Sequence, residues 1–114
     1  MTARNPLLSA PPYQVEQTLK KLGADLKTAR LRRNLTSDEA AQKIGTSRFT
    51  VADAEKGKPS TSVAVYAALL WAYGLIDRLS ELADPSKDEE GTRLALLREP
   101  ARARHSSGKL SNDF

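Results

Sequence analysis

The chain has 114 residues, 39% hydrophobic and 28% charged: enough apolar material for one small core, too much for gross disorder. It holds no cysteine, no apolar run near the ~20 residues of a membrane span and no signal-peptide core, which excludes disulfides, thiolate metal sites and spanning helices and leads us to expect a cytoplasmic protein. The net charge of +4 is uneven: residues 1–34 carry seven Lys/Arg against two acids, residues 35–60 four against four, residues 61–97 three against six and residues 98–114 four against two.

Residues 1–12, MTARNPLLSAPP, hold three prolines and no periodicity, which predicts a flexible N-terminal arm. From Gln14, the residues Val15, Leu19, Leu22, Leu26 and Ala29 fall at the spacing of one helix face. That helix ends near Arg33, in a turn whose Arg30, Arg32 and Arg33 complement the helix dipole. Gly23 lies inside it and weakens it locally. In LTSDEAAQKIG, Thr36 with Glu39 three residues later forms a capping box, Asp38 adds charge to the first turn, and Gly45 is a natural stop. Ser47 then caps a third helix, Arg48 to about Lys56, with Val51 and Ala54 inward and Gly57 and Pro59 beyond its end.

STSVAVYAALLWAYG, capped at Ser60, Thr61 or Ser62, is apolar on nearly every side from Val63 to Tyr73, which predicts burial on several faces. Gly74 ends it. In LIDRLSELAD, the residues Leu75, Ile76, Leu79 and Leu82 mark a short amphipathic fifth helix that Pro85 closes. DEEGTRLALLREP predicts a short helix over 88–98, followed by disorder to the end of the chain. The expected fold is all-α: a flexible arm over 1–12, a five-helix repressor-like bundle with a helix-turn-helix over 13–84, and a C-terminal tail over 85–114. No strand pattern competes.

Two short helices joined by a Gly-containing turn form the helix-turn-helix arrangement, in which the second helix protrudes and its N-terminal residues meet base edges in a major groove about 12 Å wide. The stretch LTSDEAAQKIGTSRFTVADAEKGKPS resembles the helix-turn-helix of the Xre-type Cro/repressor family. The likeness is carried by Leu35, Thr36, Glu39, Ala41, Ile44, Gly45, Ser47, Thr50, Val51, Glu55 and Gly57. It implies that Arg48, Phe49 and Asp53 face bases, and that Ser37, Ser47, Thr50, Lys56 and Lys58 touch phosphates or support base contacts. Arg48 suits guanine O6/N7 and Phe49 a thymine methyl, whereas Asp53 suits cytosine N4 only if Arg48 or Lys56 neutralises its charge. Lys56, Lys58, Arg32 and Arg33 suit the DNA backbone. Competing readings make Arg48 a solvated cap charge and Phe49 a ring packed beneath a neighbouring helix or a dimer mate. Glu55 reads as structural, because an acid there would face phosphate. Ala40 and Ala54 depart from the larger aliphatics usual in the pattern.

The flanks are similar to those of HipB-like antitoxins, encoded beside HipA-type serine/threonine kinase toxins. That likeness implies a homodimer on a palindromic operator that represses its own operon and neutralises a HipA-like kinase. One recognition helix reads too few base pairs for useful specificity, which also asks for a dimer. Trp71, Leu75, Ile76, Leu79 and Leu82 are the candidate dimer surface, with an intramolecular core as the competing reading for Trp71 and Leu79. Leu94, Leu96 and Leu97 form either a segment that orders on a partner or a spacer, and Arg98, Arg102 and Arg104 are alternative phosphate contacts.

An enzyme is not expected. His105 stands alone in the tail, the glycines form no phosphate-cradling loop, and no His/Asp/Glu cluster has metal-ligand spacing, so no cofactor or metal is expected. Two rivals to the antitoxin remain: a toxin-binding interaction protein with little DNA specificity, favoured by Asp53, and a stand-alone Xre repressor.

Overall fold

The computed structural model describes residues 5–106, which contain helices, turns and no strand. Residues 1–4 of the expected arm and 107–114 of the expected disordered tail lie outside them. The chain divides into two compact units, between Leu79 and Ser80.

The first unit begins with α1 (Pro6–Ser9), a single turn inside the segment expected to be a flexible arm. It forms because the Asn5 side chain accepts from the Leu7 amide at 3.0 Å and Pro6 presets φ at the first position. Then α2 (Tyr13–Arg32) runs for 20 residues and buries Gly23, Leu26, Ala29 and Arg30, one stripe at helical spacing. The short α3 (Ser37–Ile44) is held by the capping box: the Thr36 hydroxyl accepts from the Glu39 amide at 3.0 Å, and the Glu39 carboxylate from the Thr36 amide at 2.8 Å. Gly45 closes it in the left-handed conformation, φ 77°. After the turn comes α4 (Arg48–Glu55), capped by Ser47, and then α5 (Val63–Ala72), capped by Ser62. The last element is α6 (Ile76–Leu79), one turn.

The core is built from Leu26, Ala29, Ala40, Ala41, Val51, Ala54, Tyr66, Leu69 and Tyr73, with Leu22, Leu35, Ile44, Leu70 and Leu75 packed against it. Several members are alanines, so backbones come close. At Gly23 a Cβ would stand 2.6 Å from the carbonyl oxygens of both Ala54 and Glu55 and 2.7 Å from the Gly57 nitrogen. Gly57, at φ 72°, rests in turn against the Leu19 backbone. The glycine that weakens α2 in isolation is therefore the one that admits the end of α4.

Burial of α5 is narrower than its composition predicts. Tyr66, Leu69 and Tyr73 are inward, but Val63 is 73% and Trp71 61% exposed. A helix apolar all round has one face in this small core, packed mainly against α3, α4 and α6 among the described residues. Burial also pushes the Tyr66 and Tyr73 phenols above the ordinary tyrosine range. The folded state therefore keeps protons that the unfolded chain releases. Stability is full below the unfolded tyrosine value of about 10 and falls as pH rises through the higher folded values. Helical circular dichroism is expected to be lost together with ionisation of these two phenols; ionisation with the helices intact would contradict the assignment.

In the second unit, the Asp84 side chain accepts from the Ser86 amide at 2.9 Å and opens a 3-10 turn at Pro85–Lys87. Its last helix, α7 (Glu89–Ser106), has 18 residues, longer than the expected 88–98 segment. Asp88 starts it, its side chain accepting from the Gly91 amide at 2.9 Å, and the helix continues through Pro100 despite that residue's cost in a helix interior. The expected five-helix count is thus corrected to seven α-helices and a 3-10 turn among the described residues. The differences are local: a capped first turn in the arm, a fifth predicted helix shortened to α6, which ends at Leu79 in a turn over 80–83, and the longer α7.

Candidate functional site

The pair α3–α4 presents the site. Inward, α4 directs Val51 and Ala54, both fully buried, and Glu55, whose carboxylate meets Arg30 of α2. Arg30 donates from Nε to Glu55 Oε2 at 2.7 Å and from Nη2 to Oε1 at 3.1 Å, while its Nη1 donates to the Leu35 carbonyl at 2.9 Å. This fork pins the C-terminal end of α4 to α2 and to the start of the α3 loop. Hydrogen bonding to Glu55 drives the guanidinium still further above its ordinary value. Arg30, grouped from the sequence with dipole-complementing cations, is a buried strut instead.

Outward, α4 shows Arg48 and Phe49 in its first turn, with Asp53 and Lys56 further along at helical spacing from Phe49. Phe49 is 68% exposed, so no helix among the described residues packs over it. Arg48 lies over it, the guanidinium carbon 5.1 Å from the ring centroid, and its Nη1 stands 3.7 Å from Asp38 Oδ2 in the first turn of α3. Asp38 was legible only as a helix-dipole charge; its proximity to Arg48 depends on the turn that folds α4 back beside α3. Ser47 caps α4, accepting from the Thr50 amide at 3.2 Å and meeting the Thr50 hydroxyl at 3.2 Å. Ser37 opens α3 and is partly exposed.

Asp53 is neutralised, by Lys58 rather than by Arg48 or Lys56: Lys58 Nζ lies 3.1 Å from Asp53 Oδ1. The turn at Gly57 makes this possible, bringing the Lys58 amide back to the Asp53 carbonyl at 3.2 Å. The Lys58 carbonyl accepts from the Tyr66 hydroxyl at 2.8 Å, which fixes the turn to α5. Lys56, the C-cap of α4, is exposed, as is Arg32 at the end of α2. Arg33 works within the fold: it donates to the Ala29 carbonyl at 2.9 Å and the Tyr73 carbonyl at 2.8 Å, and lies 5.7 Å from the Tyr73 ring centroid.

The candidate association surface is split. Leu75 packs against the core, and Ile76 and Leu79 are half-buried, whereas Trp71 is exposed. In the second unit Leu82, Leu94 and Leu97 are exposed. Among the described residues, no helix is long and apolar enough to cross a membrane.

A family model described as "helix-turn-helix domain" matches residues 21–83, more than half of the chain, from the middle of α2 past α6. No curated protein and no solved structure matches.

Proposed function

This chain belongs to the helix-turn-helix domain family, and on that premise we propose that it is a sequence-specific, duplex-DNA-binding transcriptional repressor with α4 as its reading helix. The observation that carries the proposal is the division of α4 into a fixed side and an exposed side. Val51, Ala54 and Glu55 anchor it, and Arg48, Phe49, Asp53 and Lys56 face outward from an element short enough to enter a major groove. Arg48 reads guanine, Ser47 and Thr50 support the first turn, and Ser37, Lys56 and Arg32 approach phosphates. Lys58 contributes through Asp53, whose charge it cancels where phosphate would otherwise be repelled. Arg33 is left out of this set because the fold engages it. With Asp53 neutralised, the rival reading of an interaction protein with little DNA specificity loses its main support.

Specificity needs two half-sites, so the working form is a homodimer on a palindromic operator. The exposed Trp71 and Val63 on α5 supply apolar surface for the contact. The finer reading, an antitoxin that also neutralises a HipA-like kinase, rests on the likeness of the flanks and on the exposed Leu94 and Leu97 of α7. Copurification with the product of an adjacent kinase-like gene tests it; no complex would leave a stand-alone Xre-type repressor.

The direct test is fluorescence anisotropy with the DNA upstream of the chain's own gene against a scrambled duplex, over several salt concentrations. A preference of roughly a thousandfold, with affinity falling steeply in salt, is expected. Arg48→Ala should lose about 1–3 kcal/mol of the preference, while Lys58→Ala weakens both duplexes alike. Equal losses on both duplexes for Arg48→Ala would remove it from base reading.

A further inference from the structure

We infer that Arg48 and Phe49 act as one reader of a two-base-pair step: a guanine beside a base pair that carries a 5-methylpyrimidine. This deepens the DNA-binding reading above and rests on it. The two side chains form a preassembled unit in the free protein. The guanidinium lies 5.1 Å from the ring centroid, a contact that stabilises exposed pairs and keeps them together. Asp38 Oδ2, 3.7 Å from Nη1, holds one side of the fork. Arginine presents five N–H donors in a plane, so donors remain for O6 and N7 of a guanine.

The position of the ring follows from that placement. Neighbouring base pairs are separated by about 3.4 Å along the duplex, less than the 5.1 Å from guanidinium carbon to ring centroid, so the two groups together are long enough to span one step. With the guanidinium in the plane of one base pair, Phe49 faces the next. Its ring offers no donor or acceptor, so it cannot read the hydrogen-bonding edge of that pair. What an apolar ring distinguishes in the major groove is the C5-methyl of thymine. A cytosine methylated at C5 presents the same group. Phe49 therefore senses the methyl group, and the reader treats thymine and 5-methylcytosine alike while rejecting uracil and unmethylated cytosine.

The test starts from duplexes selected by the intact protein out of a random pool. A guanine adjacent to thymine should be enriched in each half-site. Replacing that thymine by deoxyuridine should lower affinity about three- to tenfold, the range for burying one methyl group at a well-packed contact. A 5-methylcytosine–guanine pair at the same position should bind within about twofold of thymine, and an unmethylated pair like uracil. In Phe49→Ala, whose helical content should match the parent because the ring is outside the core, the thymine–uracil difference should vanish. Enriched sequences that bind equally with thymine and uracil would overturn the step reader alone, as would a difference that persists in Phe49→Ala. A pool from which nothing is enriched would overturn it together with sequence-specific binding.

Discussion

Replacing Glu55 by alanine is expected to remove about 3–5 kcal/mol of stability, a large part of what a domain of this size possesses. The partner left behind is the reason. Arg30 keeps its charge at any accessible pH, its side chain is only 10% exposed, and without Glu55 it retains a single acceptor, the Leu35 carbonyl. Desolvation of that cation is then uncompensated. Urea unfolding followed by circular dichroism measures the loss as a fall in midpoint at constant slope. The double variant Arg30→Met, Glu55→Leu separates the pair's own contribution from the cost of breaking it. It should recover most of the stability, since two apolar chains of similar size can replace a buried ion pair with little penalty. A Glu55→Ala chain within about 1 kcal/mol of the parent, the scale of exposed pairs, would mean that water reaches the site and the strut carries no load.

The second large effect is expected at Gly23→Ala. Alanine is the better helix former by about 1 kcal/mol, so an isolated α2 would gain. In the folded chain the new methyl meets the carbonyl oxygens of Ala54 and Glu55 at 2.6 Å and the Gly57 nitrogen at 2.7 Å, all of them backbone. A flexible side chain would swing away, whereas these atoms move only if α4 moves. The net loss should reach about 3 kcal/mol, the upper part of the range for overpacking, despite the gain in propensity. Gly74→Ala is the control: its site has no atom within 4 Å, so only the positive φ of 75° is disfavoured, at about 1–2 kcal/mol. Because Gly23 sets the distance between α2 and α4, its variant should also bind DNA more weakly than its loss of stability explains, when measured on the folded fraction. Loss of stability with unchanged DNA affinity would show that α4 keeps its pose as the helices part.

What could be read from the chain in advance was mostly local. The capping box of Thr36 and Glu39, the stop at Gly45, the cap at Ser47 and a cap within 60–62, which falls on Ser62, each depend on residues within four positions, and all are formed. The helix-turn-helix emerged from the same signals. What escaped depends on packing between distant segments. Arg30 and Glu55 are 25 positions apart, and nothing in either neighbourhood marks them as partners. Gly23 looked like a weakness in α2 because its use lies in α4. For α5, hydropathy could not choose which of several apolar faces would be covered. In the site, the candidate reading residues came from the resemblance to the Xre-type pattern, which says nothing of their electrostatic partners. Asp38 and Lys58 reach Arg48 and Asp53 only through the two turns that flank α4.

The anchoring role and the proposed reading role fall on different residues of α4. Val51, Ala54 and Glu55 meet the rest of the fold, while Arg48, Phe49 and Lys56 are exposed. Mutation can therefore act on the exposed set without passing through an unfolded intermediate genotype. On the proposed function, a duplicated copy of this gene could acquire a new DNA target by a few substitutions at those positions, each close to neutral for folding. Under that proposal, the scaffold and the DNA sequence it reads would be free to evolve at separate rates.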